Sequence, residues 1–471
     1  MITAGAATLA LGAGLWPGRL ARRHGPALVG MAGITAAIVM SLLLWGERQD
    51  SLGGGLRADR FSLLLNILFL AAAAVTILLA WREPAAVDRR GEYVGLILIS
   101  ATGMMLVAGA GDLIMIFLGI EILSVALYVL CALEVWRERS LESGLKYLIV
   151  GSVGAAILLY GLTLLFGATG SIRLADIGRE LEGTSFTGEP LVLAAMVLIA
   201  AGLAFKASAV PFHMWTPDVY EGAPTTVTAF MSTAVKAAAL AAFLRVFSGV
   251  MPDLQDDWSV VIAVVAVASM AVGNIAALVQ SNMKRLLAYS SIAQAGYLLI
   301  GVATGGIAGA EATLYYLLAY AAMTLAAFAV VIIREREVED GDTVAALTGY
   351  GRARPVLGVV MTVAMLSLAG FPPLSGFVGK FLLFGSAVEA DLTWLAIVGA
   401  VGSMISLGYY LRVVWVTWAP PLDGAARRTF AVPGPVGLAT VGSAVAVIAL
   451  TLLASPVLDA CRGAAEALLA P

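Results

Sequence analysis

Hydrophobic positions in this chain gather into long runs, separated by short polar connections. Runs of roughly 18–25 residues recur along the whole length, each long enough to cross about 30 Å of hydrocarbon as a helix. They begin near residues 3, 27, 61, 93, 112, 143, 190, 225, 259, 285, 311, 356, 393 and 434. The pattern predicts an all-α polytopic membrane protein of about fourteen transmembrane helices. The first run, AATLALGAGLW, is short and has no basic residue before it, so it reads as a retained helix rather than a cleaved secretory signal.

Composition supports the membrane reading. Of 471 residues, 61% are hydrophobic and 13% charged, with a mean hydropathy of +0.95; a soluble domain carries about 25% charged residues. The distribution of charge says more than the net −3. Numbering loops along fourteen helices, even loops and tails hold only Arg48, Arg57, Arg60, Arg173, Arg179, Arg245 and Arg462. Odd loops hold sixteen Lys/Arg, among them Arg22, Arg23, Arg137, Arg139, Lys284, Arg285, Arg427 and Arg428. The positive-inside rule then puts odd loops in the cytoplasm and both termini outside.

Several chemistries are disfavoured. Cys131 and Cys461 are too few and too far apart for an iron–sulfur or zinc site, and His24 and His213 offer no haem ligand pair, so no redox centre or metal site is expected. LGGGLRADR is Gly-rich but lacks the context of a phosphate-binding loop and reads as an ordinary flexible connection.

The basic residues are partitioned by type. There are twenty-three arginines and five lysines, and Lys146, Lys206, Lys236 and Lys380 lie inside expected helices. Lys284 sits at a cytoplasmic helix start; Arg412 is the one arginine well inside an apolar run. Arginine stays protonated in any protein environment, whereas a desolvated lysine can lose its proton. A charge at the bilayer centre costs about 2.5–3.5 kcal/mol on insertion scales, so it is usually functional. Lys146 lies near a helix start with Glu142 at i−4, where an ion pair is the plain reading. Lys236, mid-run in STAVKAAALAAF, cannot snorkel to either interface. One acid matches these lysines: Glu121, in GIEILSVALYVL, with Ser124 and Tyr128 at i+3 and i+7 on the same face.

Pro211 breaks the seventh helix, because it cannot donate to the carbonyl of Ala207 and its ring clashes there. The break falls one residue after Lys206, and bare carbonyls at that depth require protein or water as partners. MLSLAGFPPLSGFVGKFLLF repeats the arrangement in the twelfth helix, with Pro372, Pro373 and Lys380. Five helices separate the breaks, so two five-helix units would cross in opposite senses, and paired interrupted helices in inverted repeats point to a transport pathway. The expected divisions are a three-helix segment 1–92, a first repeat 93–247, a second, inverted repeat 259–418, and a terminal helix and tail 419–471. The match is imperfect: Lys206 precedes its proline while Lys380 follows its pair, and no acid in the second unit replaces Glu121.

The motifs GIEILSVALYVL, SLESGLKYLIVGS, FKASAVPFHMWTPDVYEGAPTTVTAFMSTAVKAAA, NMKRLLAYSSIAQAGY and GFPPLSGFVGKF together carry a resemblance. They are similar to the antiporter-like membrane subunits of respiratory complex I, the bacterial NADH–quinone oxidoreductase. Lysine on both helix eight and helix twelve, and a chain that stops soon after the last helix, favour the N-type branch over the L-type. The resemblance implies a proton-transfer axis of Glu121, Lys206, Lys236 and Lys380, with Lys146 as a secondary member. It also implies neighbouring membrane subunits as partners, the bacterial cytoplasmic membrane as location, and no cofactor in this chain. NADH, FMN, iron–sulfur clusters and quinone would belong to other subunits. Tyr289, Tyr297, Tyr315, Tyr316 and Tyr320 offer hydroxyls to a water chain, although aromatic packing is the plainer role for most of them. The rival reading is a sodium/proton antiporter subunit of the Mrp type, which shares the glutamate–lysine core. A scaffold bundle without conduction would leave the cost of the buried lysines without a purpose.

The loop asymmetry is directly testable. Single cysteines at Arg137 and Arg179 should react with a membrane-impermeant thiol reagent from opposite sides, Arg137 from the cytoplasm. Labelling of both from one side would overturn the helix count between them.

Overall fold

Short polar residues mark where several of the apolar runs become helices. Asp59 accepts from Ser62 N at 2.8 Å and starts Arg60–Leu79, and Asp112 accepts from Met115 N at 2.6 Å and starts Leu113–Cys131. Asn282 accepts from the amides of Lys284 and Arg285 and starts Met283–Thr304. Each cap satisfies amides that the first helical turn leaves bare. The structure, a computed structural model, describes residues 1–16, 18–82, 89–183, 189–420 and 431–470.

Among the described residues, twelve helices are long and apolar enough to cross a membrane. Two shorter apolar helices, Ile2–Gly14 and Pro355–Ala369, stand at the other expected starts. The helices differ sharply in how far they are enclosed. Thr225–Ser248 is buried throughout its apolar window, and Met283–Thr304 and Gly306–Glu335 nearly so. Arg22–Leu43, Glu138–Thr169, Thr393–Trp418 and Gly434–Leu452, by contrast, bury well under half of their apolar windows. A helix apolar on all sides must be enclosed by protein or by lipid, and both cases occur here.

Several expectations need correction. The stretch expected as a flexible loop is an antiparallel hairpin, pairing Gln49–Ser51 with Leu56–Ala58, and Gly53 and Gly54 supply its left-handed turn. The expected terminal tail carries a further helix, Ala454–Leu469, packed on Arg60–Leu79 and Gly306–Glu335. Arg245, assigned to a loop, lies inside the Thr225–Ser248 helix and is 3% exposed. The helix continues past the expected stop through a π-helical turn at Leu244–Ser248, and a second one precedes Lys236 at Met231–Val235. Lys284 does begin a helix, but it is buried and donates to the Ala223 carbonyl at 2.8 Å. Arg427 and Arg428, counted in the last cytoplasmic loop, lie outside the described residues.

Arg245 explains how three helices are held in register. Its guanidinium donates to both Asp59 carboxylate oxygens, at 2.7 and 2.8 Å, and to the Ala108 carbonyl at 2.9 Å, while it lies over the Phe61 ring. Asp59 opens one helix, and Ala108 closes another, Arg90–Ala108. Both side chains of the pair are 4% exposed. Asp59→Asn keeps a competent helix cap but leaves the Arg245 charge without its counter-ion. It should destabilise the fold by about 3–5 kcal/mol. Thermal unfolding of the detergent-solubilised protein should show a clear fall in midpoint, and an unchanged midpoint would remove this pair from the account.

Candidate functional site

The two broken helices end in the same way. After Ala207, Ser208 takes a left-handed conformation, Ser208 N bonds Phe205 O at 3.1 Å, and Ala209 N bonds Ala204 O at 2.8 Å. After Ala369, Gly370 is left-handed, Gly370 N bonds Ser367 O at 2.9 Å, and Phe371 N bonds Leu366 O at 2.9 Å. Both are Schellman closures, which satisfy some terminal carbonyls and turn the chain sharply. Pro211 and Pro373 occupy matching places after the turn. The chain resumes as Trp215–Gly222 in the first case and as Ser375–Glu389, which carries Lys380, in the second.

The carbonyls left over at the second break have a partner. Lys380 Nζ reaches back from the resumed helix and donates to Leu368 O and Ala369 O, each at 3.3 Å. It also lies over the Tyr297 ring, 4.4 Å from the centroid. A Cβ on Gly370 would come within 3.0 Å of the Lys380 side chain, so glycine serves both the turn and the approach. Lys236, buried between the two π-helical turns, donates to the main-chain carbonyl of Ser291 and lies 5.9 Å from the Tyr320 ring centroid.

Lys206 is held differently. Its ammonium has no hydrogen-bond partner and sits among the rings of Tyr147, Phe205 and Tyr128, at 5.2, 5.6 and 5.7 Å from their centroids. A desolvated cation among aromatic faces gains about 2 kcal/mol from them, well short of an ion pair. Glu121 is the acid whose charge acts on Lys206, yet its buried Oε1 also lacks a partner, and the two side chains do not form an ion pair. The structure therefore holds this couple open.

From Lys206 an aromatic and polar file crosses the core. Tyr147 stacks on Trp215, which meets Tyr220 edge-on, and Tyr220 approaches Ser291 and Tyr320. The Tyr320 hydroxyl donates to Ser291 Oγ at 2.9 Å. Beyond the Lys236 contact, Gln294 bonds Tyr316, Tyr410 and the Leu368 carbonyl, the last shared with Lys380. Past Lys380, Asn274 donates to the Tyr297 hydroxyl at 3.1 Å and accepts from the Tyr409 hydroxyl at 3.0 Å.

Glu121, Lys206, Lys236 and Lys380 thus lie along one file. Lys146 does not join it. It is 44% exposed and pairs with Glu142 at 2.7 Å and Asp218 at 3.2 Å. Arg285 bonds the other Asp218 oxygen at 2.7 Å and Glu221 at 3.0 Å. Burial works to raise the Asp218 carboxyl, but hydrogen bonds from Arg285 and Lys146 outweigh it and hold it below the ordinary carboxylate range. Of the five tyrosines considered, Tyr297, Tyr316 and Tyr320 face the file. Tyr315 bonds Leu450 O, and Tyr289 lies under the Arg285 guanidinium. Arg412 closes a helix end by donating to the carbonyls of Leu278 and Gln280. Gln294, Ser291 and Asn274 were missed from sequence, since a neutral polar residue in an apolar run raises no charge signal.

The transmembrane family described as NADH:quinone oxidoreductase/Mrp antiporter matches residues 110–406. NADH-quinone oxidoreductase subunit N of Trichlorobacter lovleyi is 41% identical over 441 residues, 93% of this chain and 90% of that protein. A chain of respiratory complex I from Thermus thermophilus, solved with bound aureothin, is 37% identical, with a TM-score of 0.83 over 97% of this chain and 98% of that one. A chain of the Mrp complex from Dietzia sp. reaches the same TM-score at 23% identity, covers 100% of this chain and 97% of that one, and shares the fold alone. With a family match across most of its length and relatives of this similarity, the chain belongs to the NADH:quinone oxidoreductase/Mrp antiporter transmembrane family.

Proposed function

We propose that this chain is the N-type proton-translocating membrane subunit of a bacterial NADH–quinone oxidoreductase. It moves protons through Glu121, Lys206, Lys236 and Lys380, while quinone is reduced elsewhere in the complex. The observation that carries the reading is the file itself: three buried lysines, a half-buried glutamate whose Oε1 is enclosed and unpartnered, and hydroxyls, carbonyls and an amide between them. Relatives about 40% identical over nearly the whole chain carry the subunit N name, which favours redox-coupled pumping over Mrp-type exchange. NADH, FMN, iron–sulfur clusters and the quinone site belong to other subunits, and neighbouring antiporter-like subunits are the partners in the membrane. Both termini face outward across fourteen crossings. The inverted units 93–247 and 259–418 account for the matching closures at Ser208 and Gly370. Lys146, with Asp218 and Arg285, forms a charged rim outside the file.

The working step is electrostatic. With Glu121 ionised and close, Lys206 retains its proton; an ion pair at ~4 Å in an effective dielectric of ~20 interacts by about 4 kcal/mol. When the couple opens, as it stands here, Lys206 keeps only aromatic contacts and passes its proton along ordered water and hydroxyls toward Lys236 and then Lys380. Lys236 and Lys380 each have a carbonyl acceptor ready for the charged form. Such positioned acceptors stabilise the arriving charge without reorganisation.

Glu121→Gln and Lys206→Ala each remove one side of this couple. Each should lower NADH-driven proton pumping and the coupled quinone reduction by roughly tenfold, about 1.4 kcal/mol in barrier. Assembly, read on a native gel, should persist. Normal pumping by a fully assembled variant would leave the couple a structural feature only.

A further inference from the structure

Gln294 lies between Lys236 and Lys380 and is 0% exposed. It stands one helical turn after Ser291, whose carbonyl receives Lys236, so both contacts leave the same face of the Met283–Thr304 helix. Gln294 Nε2 donates to Leu368 O and to the Tyr410 hydroxyl, both at 3.1 Å, and Oε1 accepts from Tyr316. Lys380 donates to the same Leu368 carbonyl at 3.3 Å, and Tyr410 is also bonded to Ser290 at 2.5 Å. The carbonyl is free to serve two donors because Leu368 is the second-last residue of a helix that stops at Ala369.

We propose that Gln294 is the junction between the two lysines, a positioning residue that shares the Leu368 carbonyl with Lys380 and thereby relays the charge state of Lys380 to the Lys236 side. This rests on the proton route proposed above. A charged ammonium makes the stronger claim on a carbonyl, because its hydrogen bond is charge-assisted. While Lys380 is charged, its charge-assisted bond weakens the one that Gln294 Nε2 makes to the shared Leu368 carbonyl, and the second N–H of the amide holds Tyr410 the more firmly. Once Lys380 gives up its proton, Gln294 takes the carbonyl alone and frees the Tyr410 hydroxyl toward Ser290 and Tyr316. The hydroxyl line is then aligned for the next transfer. In that transfer one proton leaves the Lys236 ammonium and one arrives on the Lys380 amine, Gln294 stays neutral, and no electron moves. The amide suits the post because it donates and accepts at once, which neither a carbonyl nor an ammonium does.

The test uses the assembled complex in its own membranes, with Gln294→Met, Gln294→Glu and Lys380→Ala compared for assembly and NADH-driven proton pumping across pH. Gln294→Met keeps length and bulk but breaks the junction, and should assemble and pump about tenfold more slowly, as expected when a transfer line loses its alignment. Gln294→Glu adds a carboxylate that pins the proton on Lys380 when ionised and mimics the amide when protonated. Pumping should therefore fail at alkaline pH and recover on acidification, with the pH profile displaced toward acid.

The titratable groups around this site are Lys236 on Thr225–Ser248, Tyr316 and Tyr320 on Gly306–Glu335, and Tyr409 and Tyr410 on Thr393–Trp418. Lys380 on Ser375–Glu389, Tyr220 on Trp215–Gly222 and Tyr297 on Met283–Thr304, the helix of Gln294 itself, complete the set. The facing helices Gln255–Leu278 and Pro355–Ala369 contribute only the neutral Asn274 and the Leu368 carbonyl. A purely structural amide would not move this profile. If Gln294→Met does not assemble, Gln294→Glu decides through its profile. Unchanged pumping and pH profile in the Gln294 variants, with pumping lost in Lys380→Ala, would overturn the junction and leave the route standing. Normal pumping by Lys380→Ala would overturn the route and the junction with it.

Discussion

An ammonium buried in an apolar bundle needs an acceptor, and this chain finds acceptors by interrupting its own helices. Lys380 bonds carbonyls that exist as free acceptors only because the Pro355–Ala369 helix stops. Lys284 bonds Ala223 O, at the end of the Trp215–Gly222 segment that follows the first break. Lys236 shares the Ser291 carbonyl of an unbroken helix, but does so between two π-helical turns in its own. Lys206 has no carbonyl or carboxylate, only rings. It is therefore the lysine whose charge depends most on whether Glu121 approaches. On the route proposed above, that difference makes Lys206 the control point and leaves Lys236 and Lys380 as stations.

The arginines do the opposite work. Arg245 is locked by two carboxylate bonds and a carbonyl, and Arg412 by two carbonyls. Guanidinium geometry suits such fixed, many-pointed contacts, and its permanent charge makes it unsuited to releasing a proton. Arg285 likewise ties Asp218 and Glu221 at the rim. If the lysines carry protons as proposed, the partition of lysine and arginine along the chain reflects two tasks: carrying a proton and holding helices in register.

Much of this was legible in the sequence. Run length marked the helices, Pro211 and Pro372–Pro373 marked both breaks, and a lysine beside each break marked the file. Features that depend on distant partners were not legible. Arg245 read as a loop residue because its counter-ion, Asp59, lies 186 residues away and its helix continues through a π-helical turn. Lys284 read as surface because its polar neighbours in NMKR mark a helix start, and only packing of the Trp215–Gly222 segment covers it. Gln294 carries no charge, and its partners stand 22, 74 and 116 residues off. Glu121 and Lys206 were expected to be linked, but whether they touch is a matter of conformation that composition does not encode.

The central claim is that the buried lysines release and regain protons rather than supply fixed charge. Lys236→Arg tests it most directly, because arginine keeps the positive charge and will not deprotonate at accessible pH. The account predicts a variant that assembles, still oxidises NADH with an artificial acceptor, and loses most proton-coupled turnover, much as Lys236→Ala does. Near-normal pumping by Lys236→Arg would contradict it and leave Lys236 an electrostatic role alone.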